Sequence, residues 1–146
     1  MESTLILRGL STIAVGLLCG AMLFFSLAMA PLIFIKLEID VAGKFVRAVF
    51  PWYYLIIIVL ASLSASLLLK FAPLNAGLMA LVAISAWYCR QLLMPRINEF
   101  RDRSMINEQG ADKIFNKLHR RSEILNGLQL LAAMAVLLHL SFVNFS

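Results

Sequence analysis

The residues with chemistry to offer are few, and they sit at helical spacing inside apolar sequence. His119, Ser122, Asn126 and Gln129 fall at offsets of 3, 7 and 10, which puts them on one face of a helix. Asn126 and Gln129 lie in a stretch that carries no charge after Glu123. An unpartnered amide there costs several kcal/mol in hydrocarbon, so this face must meet protein or a water-filled cavity. Two readings stand: interhelical hydrogen bonds that fix a bundle, or the wall of a cytoplasm-facing polar pocket. Arg90 follows Trp87 by three residues and precedes Pro95. It either snorkels to the membrane surface or stacks on Trp87 or Tyr54 and holds an anionic group. The candidate ligand-binding set is Arg90, Tyr53, Tyr54, His119, Ser122, Asn126 and Gln129. An enzyme built here would use His119 as general base beside Arg90 and a tyrosine, with no carboxylate to support the imidazole. No catalytic residue is assigned on that basis.

Metal and redox chemistry have little to work with. His119 and His139 are twenty residues apart on one expected helix, a separation of about 30 Å at the helical rise, too far to clamp one metal or haem. Cys19 and Cys89 come from different depths of two helices, so two free, buried thiols are expected rather than a disulfide. The seven Met have no paired spacing that suits copper. No metal site and no cofactor are expected. There is no pair of intramembrane carboxylates for a proton relay, and no phosphate loop, nucleophile elbow or His-Glu metal motif.

The elements that position these residues follow from composition. In 146 residues, 62% are hydrophobic and 14% charged, against roughly 45–50% and 25% in a soluble domain. An ordinary soluble domain is thereby excluded, and the expected class is all-α: a single integral membrane domain over residues 1–146. A bilayer core requires about 20 apolar helical residues. Four stretches meet that length, at about 10–35, 50–71, 75–94 and 122–142. Ala28-Met29-Ala30 has the look of a signal cleavage site, but the apolar run before it is too long and Pro31 follows it. The first span is therefore kept, with a kink expected where Pro31 frees the Leu27 carbonyl.

Four spans put Arg8 and Lys70 at one membrane face and the other eleven of the thirteen Lys and Arg at the opposite face. Positive charge is retained on the cytoplasmic side. Both termini are thus expected outside the cytoplasm, in a bacterial inner (plasma) membrane. The net charge of +5 is accounted for by this topology, and no nucleic-acid partner is expected. Trp52, Tyr53, Tyr54, Trp87 and Tyr88 gather toward the cytoplasmic face as an interfacial belt, with Pro51 read as a first-turn residue of the second span.

Gly16 and Gly20 form a small-residue pair expected to pack within the bundle, with Ala61 and Ala65 or Ser62 and Ser66 opposite; a homo-oligomer seam is the alternative. Between the third and fourth spans, Ile114, Phe115 and Leu118 recur at helical spacing. An amphipathic cytoplasmic helix is expected there, able to run on into the fourth span because no Pro or Gly separates Ala111 from Glu123. Glu99 with Arg103, and Arg120 with Glu123, are expected surface pairs.

Phe50-Pro51-Trp52-Tyr53-Tyr54, then Arg90 with Pro95-Arg96, then Phe115, His119, Ser122 and Asn126 together resemble the transmembrane protein 205-like family, domain of unknown function 4149. The resemblance implies a four-helix membrane domain over nearly the whole chain, and no activity. Three functions remain open: a small-molecule or anion binding or transport module, an accessory subunit of a larger membrane complex, and a cofactor-free membrane enzyme. The lipid bilayer is the expected partner, with other membrane subunits or a second copy as further candidates.

Overall fold

The computed structural model describes residues 2–144. Among these residues all regular structure is helical. The first span is built from α1 (Glu2–Phe24), a π turn (Phe25–Met29) and α2 (Ala30–Lys36). The second is α3 (Ile39–Leu68). The third joins α4 (Pro73–Tyr88), a second π turn (Cys89–Leu93) and α5 (Met94–Met105), and the fourth is α6 (Ala111–Asn144). Four stretches, Thr4–Lys36, Ile39–Leu68, Pro73–Met105 and Ala111–Phe142, are long and apolar enough to cross a membrane. The chain is a four-helix transmembrane bundle in which α1 packs on α3, α3 on α4, α4 on α6 and α6 back on α1.

The core is filled by Leu18, Met22, Ile57, Leu68, Met79 and Leu93, with Ala61, Ala76, Ala86 and Ala133 allowing close helix approach. Gly16 and Gly20 do not contribute to that packing: a Cβ at either would meet open space. Ser62 and Ser66 are also turned outward, and Ser66 Oγ satisfies itself on the Ser62 carbonyl at 2.9 Å. Cys19 and Cys89 are buried free thiols, as their depths required. Trp52 and Trp87 are 68% and 52% exposed, the arrangement of interfacial anchors.

The helices run well past the stretches that hydropathy marks. The connection between the first two spans shrinks to Leu37 and Glu38, and α3 begins at Ile39 with Asp40 in its first turn, where a carboxylate suits the positive end of the helix. Pro51 therefore sits in the interior of α3 and not in its first turn. Lacking an N–H, it leaves the Arg47 carbonyl without its helical partner. Both π turns lie just before a proline. Ala30 N–H bonds back to Phe25 O ahead of Pro31, and Met94 N–H to Cys89 O ahead of Pro95. A proline ring crowds the carbonyl four residues earlier, and a widened turn gives it room. The kink expected at Leu27 is this first π turn.

The 96–121 segment is helical in two pieces, and its second half runs on into the fourth span without a break, as the lack of Pro or Gly between Ala111 and Glu123 allowed. Its first part continues the third span as α5 and its second part belongs to α6, so two helical extensions pack as an antiparallel hairpin. The turn between them is closed by Glu108 N–H on Arg103 O at 3.1 Å and Asn107 N–H on Ser104 O at 3.0 Å. This is a Schellman cap, with Asn107 at φ 56° as its left-handed residue. Gly110 at φ 82° then starts α6 in a conformation that side chains disfavour.

Candidate functional site

The π turn at Phe25–Met29 separates the two halves of the first span in their packing: α1 packs on both α3 and α6, whereas α2 packs on α3. Between α2, α3 and α6 lies a cavity of about 390 Å³. Its apolar wall includes Phe25, Ile33, Phe34, Phe50 and Leu130, and its polar groups are Ser26, Tyr54, His119, Ser122, Glu123 and Asn126. A second chamber of about 410 Å³ extends toward α5 and presents Asp40, Arg47, Asn98 and Arg101. The two share Phe34, Val46, Phe50, His119 and Ser122, and form one groove.

The inner end of the groove is held by a chain of side-chain hydrogen bonds across three spans. Tyr53 donates its hydroxyl to Asn126 Oδ1 at 2.7 Å, and Asn126 Nδ2 donates to Ser26 Oγ at 3.4 Å. Tyr53 is further fixed by stacking on Phe25, with ring centroids 4.3 Å apart, and by Phe50 edge-on at 6.0 Å. Tyr54 is 1% exposed, and its hydroxyl meets the Cys89 thiol. Where the two chambers meet, His119 stacks on Phe115 at 5.7 Å, and its Nε2 faces Glu123 Oε1 at 3.4 Å. Ser122 donates its hydroxyl to the His119 carbonyl at 2.7 Å.

Of the residues singled out from sequence, Tyr54, His119, Ser122 and Asn126 line the groove, and Tyr53 braces it. Arg90 and Gln129 do not join them. Arg90 donates Nε to the Pro51 carbonyl at 3.0 Å, so it supports the proline site of α3 instead of stacking on Trp87 or Tyr54. The cation stacked on a tyrosine is Arg121, 5.4 Å from the Tyr88 ring centre. Gln129 is only 3% exposed and turns toward α4, where Nε2 donates to Ser85 Oγ at 2.9 Å; its buried Oε1 has no hydrogen-bond partner. Asn126 and Gln129 are three steps of about 100° apart, so their side chains diverge by about 60° and meet different neighbours.

Sequence reasoning missed three contributors. Ser26 gave no signal beyond being a polar residue ahead of Pro31. Glu123 supplies His119 with the carboxylate it was expected to lack, and replaces the expected pairing with Arg120. Arg101 lies across α3 so closely that a Cβ on Gly43 would overlap its guanidinium. The neighbouring Arg47 is paired with Asp102 at 2.6 Å, and Glu99 with Arg103 at 2.7 Å as the spacing required.

A helical membrane protein with a partly polar groove between its spans is the class these features define. The family model for a domain of unknown function, number 4149, matches residues 13–105, and the chain belongs to that family. The matched region carries most of the first span, the second and third spans, both π turns and all of the α3 side of the groove. No curated protein and no solved structure matches the chain.

Proposed function

We propose that this chain is a binding module for an amphipathic small molecule, anionic at its polar end, held in a groove that faces the cytoplasm. The supporting observation is the continuity of the two chambers from the Tyr53–Asn126–Ser26 chain to Arg101. The apolar walls accept a hydrocarbon body, and the Arg101 guanidinium, which has no ion-pair or hydrogen-bond partner among the described residues, receives the anionic end. Transport is an extension of the same reading, in which α2 moves against α6. The cytoplasmic position of the groove, both termini outside, and a bacterial inner membrane location rest on the charge distribution. Kinship to the transmembrane protein 205-like proteins and a single integral membrane domain over the whole chain are parts of this proposal.

Gly127 provides the test. It lines the deep chamber, and a Cβ there meets nothing within 4 Å, so Gly127→Leu fills the groove without displacing backbone. Native mass spectrometry of the purified chain is expected to show a co-purifying amphiphile that Gly127→Leu evicts at unchanged melting temperature. No bound amphiphile on the parent chain, or one that persists in Gly127→Leu, overturns the reading. A second reading, an accessory subunit or homo-oligomer, is favoured by the Gly16 and Gly20 face, which is open toward lipid and suited to close helix approach. Gly16→Leu lowers the oligomer mass in light scattering if that face is a seam, and leaves it unchanged if it is not.

A further inference from the structure

At the end of the bundle opposite the groove, where α1 begins and α6 finishes, the α3–α4 connection encloses a cavity of about 230 Å³. Arg8, Phe71, Asn75 and His139 line it, and among the described residues no carboxylate does. Seven of the eight acidic residues of the chain lie between Glu38 and Glu123, toward the other end, while the eighth, Glu2, starts α1 at this end, six residues before Arg8. The Arg8 guanidinium lies over the Phe71 ring at 5.6 Å, which orients it, while its buried Nε has no hydrogen-bond partner. His139 Nδ1 and the Asn75 amide are in contact at 3.0 Å. Nδ1 is also 3.2 Å from Asn75 Oδ1, so the tautomer sets the direction of this bond, and in the form where Asn75 donates to Nδ1 the ring proton is on Nε2, a second donor. The first turn of the 16-residue α4 adds to this field. Ala72 provides no side-chain cap, so the Leu74 and Asn75 amides have no helical acceptor.

A cation, an imidazole and the positive end of a helix converge on one cavity whose lining, among the described residues, holds no carboxylate. Arg8 as a whole is partly exposed, but its Nε is buried without an acceptor, and a buried guanidinium N–H left unpaired is costly. We infer that this cavity is an oxyanion site for a phosphate group, carried by a lipid headgroup or free in water. The guanidinium fork and the α4 amides match a tetrahedral oxyanion, and the volume holds a headgroup phosphate but not a whole phospholipid. The site is independent of the groove between α2 and α6.

The experiment uses the full chain in detergent micelles and reads thermal stabilisation by short-chain phosphatidylglycerol, by inorganic phosphate and by a phosphate-free diacylglycerol of the same chain length. Phosphatidylglycerol is expected to stabilise the chain saturably. Arg8→Gln should weaken that binding about tenfold or more, the scale of one charge-assisted hydrogen bond. Stabilisation by inorganic phosphate as well identifies the free ion as sufficient, and its absence identifies a lipid. If Arg8→Gln does not fold, Ala72→Phe, which fills the cavity and keeps the charge, must abolish the same effect. Equal stabilisation by the diacylglycerol, or binding untouched by the variant that folds, overturns the inference.

Discussion

Asn126 and Arg90 show how two polar residues near one membrane surface take on different work. Asn126 joins three spans through Tyr53 and Ser26, and interhelical hydrogen bonds in membranes average about 0.6 kcal/mol. Asn126→Ala is therefore expected to cost about 1 kcal/mol in steric-trapping measurements in bicelles. Tyr53→Phe should cost less, and the pair should be non-additive because both remove the same bond. Arg90 donates to the carbonyl of a helix-interior proline. Losing a charge-assisted bond costs about 1.5–3 kcal/mol, so Arg90→Ala should destabilise the bundle more than Asn126→Ala does in the same assay. An unchanged stability would free Arg90 for the ligand role that the sequence suggested.

The proline-linked π turn is the element that makes the groove. Pro31→Ala restores an N–H for the Leu27 carbonyl and removes the ring that demands the wider turn. A straighter first span brings α2 toward α6, and Ile33 and Leu130, on opposite walls of the cavity, should draw together. With Cys19 and Cys89 replaced, a bismaleimide bridging Ile33→Cys and Leu130→Cys is expected to react faster in Pro31→Ala than with Pro31 present. An equal rate would separate the groove from the π turn. In the hairpin, Gly110 at φ 82° holds the start of α6. Gly110→Ala should cost about 1 kcal/mol or somewhat more, read as a fall in melting temperature.

For the whole molecule, Arg8 and Lys70 stand against eleven cations at the far face. A reporter that works only outside the cytoplasm, fused after Ser146, should be active. Ser146 lies outside the described residues, and the orientation is argued from charge alone. Labelling of a cysteine placed at Ser146 from the cytoplasmic side only would invert the protein, and the groove would then face outward. The four-span bundle itself would stand, because span number rests on apolar length and not on orientation.

Span number, the interfacial tryptophans and the unpaired cysteines were legible from sequence, because each depends on composition at a given depth along a helix. Where each helix ends was not. Hydropathy marks the bilayer core, whereas α3 and α5 continue into water on local propensity and on contacts such as Arg47 with Asp102. The polar stripe of α6 was visible as a periodicity, but its division was not: Asn126 turns to Tyr53 and Gln129 to Ser85. Periodicity assigns a residue to a face of its own helix. Which neighbour covers that face depends on how the other helices tilt and kink around it, and here two proline-linked π turns, set in the tertiary packing, decided that Asn126 borders a groove and Arg90 supports a helix.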